Sequence, residues 1–124
     1  MTATLAPTAP GTVATVAGRS FEHLLATTDK PFVVIDFWAD WCSPCKQFAP
    51  EYAKIAAEYP QVAFCKLDTN LDLSTTGRYN VQAMPTVLVL EARTGNVVFN
   101  GELRGTVNGR LLRRKLNTIL GLDD

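Results

Sequence analysis

The sequence predicts an α/β domain with a central mixed sheet and helices on both of its faces. Short apolar runs rich in β-branched residues alternate with amphipathic helical segments, which is typical of parallel crossovers. A short turn between the last two strands adds an antiparallel pair. The length of 124 residues is that of one domain. The predicted order is β-α-β-α-β-α-β-β-α, which gives five strands and four helices.

The chain opens with a segment that has neither helical nor strand periodicity. Residues 1–11 are rich in Thr, Ala and Pro, and we predict a flexible tail ahead of a domain at 12–124. Residues 12–17 alternate weakly in polarity and predict an edge strand. Ser20 is the expected N-cap of a short helix that runs to about Thr28.

The most apolar strand and the longest helix come next. Residues 32–38 form a β-branched run with a single carboxylate and predict a buried strand. After Cys45, apolar residues recur at three- and four-residue steps, which predicts an amphipathic helix kinked at Pro50. Residues 62–68 are apolar on both faces and predict a central strand.

The rest of the domain is predicted to contain a short helix, a hairpin and a closing helix. The segments are 71–79 (helix), 85–90 (strand), 94–96 (turn), 97–99 (strand) and 107–120 (helix, followed by Gly121). Proline is tolerated at the first position of a strand, and glycine commonly lies just past the end of a helix.

The composition excludes several classes of function. Twelve basic and twelve acidic side chains give zero formal net charge, so we expect no binding to nucleic acid or to anionic membrane. No apolar stretch approaches the ~20 residues of a membrane span, and the first residues lack the pattern of a secretory signal. Three cysteines are an odd number and too few for a secreted disulfide scaffold. We therefore expect a cytoplasmic protein.

Two cysteines, Cys42 and Cys45, lie two residues apart where a strand meets a helix. A structural zinc site needs four ligands, and the other candidates are Cys65 in a predicted strand and His23 on the first helix. A structural disulfide is the second alternative, but so short a loop contributes only about 2 kcal/mol. We favour a reversible dithiol–disulfide pair, because residues three apart in a first helical turn can form a disulfide.

The position of each cysteine suggests its role. Cys42 stands at the start of the helix, where the helix dipole lowers a thiol pKa, and is the expected nucleophile. Cys45 lies one turn deeper and is expected to resolve the mixed disulfide. Asp36 is the candidate base, because burial raises a carboxyl pKa, and Lys66 is the expected counter-charge. A buried structural ion pair of Asp36 and Lys66 is the alternative.

The motifs of the chain resemble those of thioredoxins in order and spacing over about residues 12–120. The matching stretches are 34–46, which contains Trp41-Cys42-Ser43-Pro44-Cys45, then Ala49-Pro50, Lys66, 79–86, Gly95 and Gly105. The resemblance implies the thioredoxin fold, a central mixed five-stranded sheet flanked by four helices. It also implies thiol–disulfide oxidoreductase activity that reduces protein disulfides.

The same resemblance implies a substrate site and an electron donor. Pro85 would be cis and face the cysteines, so that the backbone of Met84 pairs with a substrate strand. Trp41, Met84, Pro85 and Gly105 would line a shallow apolar groove. No cofactor or metal would be bound. A flavin-dependent thioredoxin reductase would supply electrons from NADPH to a monomer that acts on disulfide-containing proteins.

Two departures from the family pattern concern the cysteine motif and the groove. Ser43 replaces the usual glycine, so Ser43 and Pro44 are expected to tune the redox properties of Cys42. Arg104 precedes Gly105 where an apolar residue is common, and is either a cation on the groove rim that favours acidic substrates or a solvated surface residue. Cys65 is expected to be an inert core residue.

The sequence thus predicts a reductant, with two rival functions. One is a thiol oxidase or isomerase of an oxidising compartment. The other is a thioredoxin-fold binding subunit whose role does not depend on redox state.

Overall fold

The structure is a computed structural model that describes residues 9–98, 103–105 and 107–122. It contains β1 (Val13–Val16), α1 (Arg19–Thr27), β2 (Phe32–Trp38), α2 (Ser43–Glu58), β3 (Ala63–Asp68), α3 (Leu73–Arg78), β4 (Thr86–Glu91) and α4 (Gly109–Leu120). All four predicted helices and the first four predicted strands are confirmed, with ends shifted by up to three residues. No helix in these ranges is both long enough and apolar enough to cross a membrane.

The sheet is mixed, as predicted. Its strand order is β1-β3-β2-β4, with β1 and β2 parallel to β3, and β4 antiparallel to β2. The two central strands are apolar on both faces, whereas β1 is a partly exposed edge. The loops after β2 and β3 therefore leave the sheet at the same edge, and β4 begins there.

The prediction of five strands is wrong for the described residues, which form four. Val97 and Arg104 make only isolated bridges to β4, opposite Leu90 and Thr86. Residues 99–102, which lie between these two bridges in the chain, are outside the described residues. Phe99, the last residue of the predicted fifth strand, lies outside the described residues.

Side chains of the central strands alternate between two apolar cores. On one face, Ile35 and Phe37 pack with residues of α1 and with Tyr79 at the end of α3. On the other face, Val34 packs with Tyr52 and other apolar residues of α2 and α4. This alternation places the side chain of Asp36 on the α2 face of the sheet.

The start of α1 differs from the prediction. Gly18 is its N-cap, and Ser20 lies inside the first turn. The Ser20 hydroxyl instead accepts from the N–H of Ala17. Residues 1–8 of the predicted tail lie outside the described part, whereas Ala9 forms a turn in which its carbonyl accepts from the N–H of Thr12.

Candidate active site

The two neighbouring cysteines form a disulfide at the N-terminus of α2. Their Cα atoms are 5.3 Å apart, and Cys42 is the N-cap residue. The backbone N–H of Cys45 donates to Sγ of Cys42 at 3.2 Å. A sulfur in this position accepts from an otherwise unpaired amide and lies in the positive field of the helix dipole, which stabilises a thiolate.

Exposure barely distinguishes the two sulfur-bearing residues in this oxidised state. Cys42 is 4% exposed and Cys45 is 2% exposed. Ala39 is buried with them, and Trp38 and Met84 pack against the cluster. The expected difference in role between Cys42, the nucleophile, and Cys45, the resolving thiol, therefore rests on the hydrogen bond to Cys42 and not on a difference in solvent contact.

The intervening residues form the first turn of α2. Ser43 and Pro44 are both exposed, and Pro44 lies in the first two helical positions, where its missing N–H removes no helical hydrogen bond. Pro50 lies inside the helix. The redox-tuning role of Ser43 and Pro44 and the kink at Pro50 remain predictions.

Asp36 lies opposite Lys66 in the parallel register of β2 and β3. Asp36 is 4% exposed, and its Oδ1 has no hydrogen-bond partner among the described residues. Burial raises the pKa of Asp36 to about 7, and the positive charge of Lys66 limits the rise. The predicted upward shift is thus confirmed, and the carboxyl can exchange a proton near neutral pH.

Asp36 and Lys66 do not form the closed ion pair that was the alternative, since no salt bridge joins them among the described residues. The Lys66 ammonium instead lies 5.4 Å from the centre of the Trp38 ring, within reach of a cation–π interaction. This contact of Trp38 was not predicted. Trp38 and Lys66 share one face of the sheet because they are two residues apart in register, but Asp36 lies on that face as well, so strand pattern alone does not indicate which of the two Lys66 contacts.

The groove residues meet at the edge of the sheet next to the cysteines. The Met84–Pro85 peptide bond is cis, as the resemblance implied. Met84 packs against the cysteine cluster, and the Pro85 carbonyl accepts from the N–H of Gly105 at 2.9 Å. Gly105 has a φ of +84°, and a Cβ there would lie 3.3 Å from the Cβ of Ala83, so glycine suits this close approach. Trp41 is 65% exposed beside Cys42.

Two other candidate residues lie away from the site. His23 is exposed on α1, and Cys65 is fully buried with a free thiol. Burial, with a smaller contribution from Asp36, raises the pKa of the Cys65 thiol, in agreement with an inert core residue. The described ranges contain no cluster of three or more His, Cys, Asp or Glu side chains suited to a metal ion.

Comparison with known proteins identifies relatives over most of the chain. The family model described as Thioredoxin matches residues 12–116. Thioredoxin C-3 of Corynebacterium nephridii is 36% identical over 86 residues, which cover 69% of this chain and 59% of that protein. The thioredoxin of Pseudomonas aeruginosa is 30% identical over 109 residues, which cover 87% of this chain and 93% of that protein. The chain thus matches less than two thirds of the length of Thioredoxin C-3.

A solved structure confirms the fold. One chain of the crystal structure of a ferredoxin:thioredoxin reductase and thioredoxin f2 complex superposes with a TM-score of 0.78 at 24% sequence identity. The match covers 91% of this chain and 99% of that chain.

Proposed function

The chain belongs to the thioredoxin family, and on that basis we propose that it is a thiol–disulfide oxidoreductase that reduces disulfides in partner proteins. The observation that carries the proposal is the Cys42–Cys45 disulfide at the start of α2, with the Cys45 N–H directed at Sγ of Cys42. This arrangement supports a nucleophile whose thiolate is stabilised by the helix.

The first step is attack by the reduced Cys42 thiolate on one sulfur of a substrate disulfide. A mixed disulfide forms, and the other substrate sulfur leaves as a thiolate that takes up a proton. The helix terminus stabilises the thiolate by about 1 kcal/mol, and by up to ~2 kcal/mol in a partly buried site, which lowers the pKa of the Cys42 thiol. A larger shift would weaken the attack, because nucleophilicity falls with thiol pKa.

The second step releases the reduced substrate. Cys45 loses its proton and attacks Sγ of Cys42, which re-forms the Cys42–Cys45 disulfide and expels the second substrate thiol. Two electrons thus pass from the protein dithiol to the substrate disulfide. Asp36 is the proposed base for Cys45, because its pKa of about 7 allows proton uptake at neutrality.

Insulin-disulfide reduction with dithiothreitol as the electron source tests the activity. Cys42→Ser should abolish the reduction, whereas Cys45→Ser should accumulate a mixed disulfide with the substrate. Cys65→Ala is the matched control, since this thiol is buried away from the pair. If Cys42→Ser abolished insulin reduction but still replaced the wild-type protein fully in the cell, the redox-independent binding subunit would be favoured instead.

The base role of Asp36 has its own test. Asp36→Asn should slow resolution of a preformed mixed disulfide more than it slows formation, because only the second step needs a proton removed from Cys45. Rapid-quench alkylation followed by mass spectrometry separates the two steps. Equal slowing of both would contradict the assignment.

We also propose that the electrons come from NADPH through a flavin-dependent thioredoxin reductase. Because the fold is also that of a chain in a ferredoxin:thioredoxin reductase complex, a ferredoxin-linked donor is the second candidate. Turnover with each purified reductase decides between them. A reduction potential well above that of the glutathione couple would favour the oxidase or isomerase instead.

The proposed setting is the cytoplasm, and the proposed active form is a monomer. The free thiol of Cys65 fits a reducing compartment. Fractionation of cells that produce the tagged chain tests the location, and sedimentation of the purified protein tests the oligomeric state.

A further inference from the structure

The residue before Gly105 is held against the loop that carries the cis-proline. Arg104 pairs with Thr86 in an antiparallel bridge, and the next residue, Gly105, donates to the Pro85 carbonyl. The Arg104 guanidinium reaches back along this loop, where Nη1 donates to the carbonyl of Asn80 at 3.2 Å. Arg104 is half-buried as a residue, while the hydrogen bond from its guanidinium to Asn80 is exposed to solvent.

The charge of Arg104 is not neutralised within the described residues. Arg78 pairs with Glu22, and Arg113 pairs with Glu51 and Glu58. Arg104 has no such carboxylate among those residues, and a carbonyl accepts one of its hydrogen bonds. A guanidinium has five N–H donors, so most of this fork remains available to an acidic group.

We propose that Arg104 is a specificity-determining residue that favours substrate disulfides flanked by Asp or Glu. The inference rests on the proposed function and names its substrate class. In the proposed complex a substrate strand pairs with the backbone of Met84, four residues along the chain from Asn80, whose carbonyl accepts from the guanidinium. An acidic side chain next to the substrate cysteine then meets a cation whose position is already restricted by Asn80, so less side-chain entropy is lost on binding.

The expected size of the preference follows from the exposure of the pair. Ion pairs at partly exposed sites contribute about 0.2–1 kcal/mol, which corresponds to roughly 1.4-fold to 5-fold in a rate constant. Salt screens such pairs, so the preference should shrink at high ionic strength.

The test compares two peptides that share one intramolecular disulfide and differ only in carrying Glu or Lys beside the cysteines. The reduced protein is mixed with each peptide, and the second-order rate constant is followed by stopped-flow tryptophan fluorescence. We expect the Glu peptide to react about 1.4 to five times faster than the Lys peptide at low salt. The ratio should approach one in Arg104→Gln, persist in Arg104→Lys and invert in Arg104→Glu.

A matched control variant and the comparison of the two rate constants make the result decisive. Arg114→Gln removes an exposed cation of α4 and should leave the ratio unchanged. If Arg104→Gln changes both rate constants by the same factor, the residue only positions the loop and the proposal is overturned. A wild-type ratio near one also overturns it while leaving the reductase function intact. Failure of the wild-type protein to reduce either peptide would instead refute the proposed function.

Discussion

Replacing Asp36 by asparagine should stabilise the folded protein at alkaline pH. The carboxyl is buried, its Oδ1 lacks a hydrogen-bond partner among the described residues, and Lys66 offsets only part of the desolvation. The ionised form is therefore disfavoured in the folded state relative to the unfolded chain. Asparagine has nearly the same shape and carries no charge at any pH.

The magnitude follows from the two pKa values of Asp36. The pKa is 3.8 in the unfolded reference and about 7 in the folded protein. Below pH 3.8 both states hold the proton, and the stability due to this group is fully present. As pH rises from 3.8 through 7, only the unfolded chain releases the proton, so the free energy of unfolding falls. The total loss is about 4 kcal/mol, from roughly three pKa units at ~1.4 kcal/mol each.

Urea unfolding of the oxidised protein, followed by circular dichroism, measures this effect. The free energy of unfolding of Asp36→Asn should exceed that of the wild type by about 4 kcal/mol near pH 8.5 and about 3 near pH 6. The difference should fall below about 1 kcal/mol near pH 4. Asp40→Asn is the control, because Asp40 is exposed and its replacement should change stability by less than ~0.5 kcal/mol. A difference independent of pH would refute the reasoning.

Three further changes test the packing of the rest of the fold by urea unfolding. Asp72→Ala should cost about 2 kcal/mol, because the carboxylate caps α3 and accepts from the N–H of Gly18, and Asp72→Asn should recover part of the loss. Gly95→Ala should destabilise more than Gly121→Ala: both glycines have positive φ, but only at Gly95 would a Cβ lie 2.9 Å from neighbouring side chains. Tyr52→Phe should cost about 1 kcal/mol, since its hydroxyl donates to a strand carbonyl at 2.7 Å.

Features set by local sequence were predictable. The apolar run of β2 and the two cysteines at the start of α2 have short-range signals, and the structure confirms both. The raised pKa of Asp36 was also predictable, because a single carboxylate in an apolar strand has to be buried with it.

Features set by tertiary contacts were not predictable. The expected cap at Ser20 is wrong because the N-cap is Gly18, two residues earlier, and the helix begins at Arg19. The Lys66 ammonium could contact either Asp36 or Trp38. Strand pattern alone does not indicate that it lies over the Trp38 ring. Likewise, no local signal indicates that Arg104 reaches the carbonyl of Asn80, because the two residues are 24 positions apart.

The burial of the third thiol limits how the chain can oxidise. While the domain stays folded, Cys65 cannot meet either sulfur of the active pair, so repeated redox cycles return to the same single bridge without scrambling. Cys65 becomes available for thiol–disulfide exchange only when the core opens. Cys65 therefore serves as an internal reporter, because a reagent that labels it records global unfolding and not turnover.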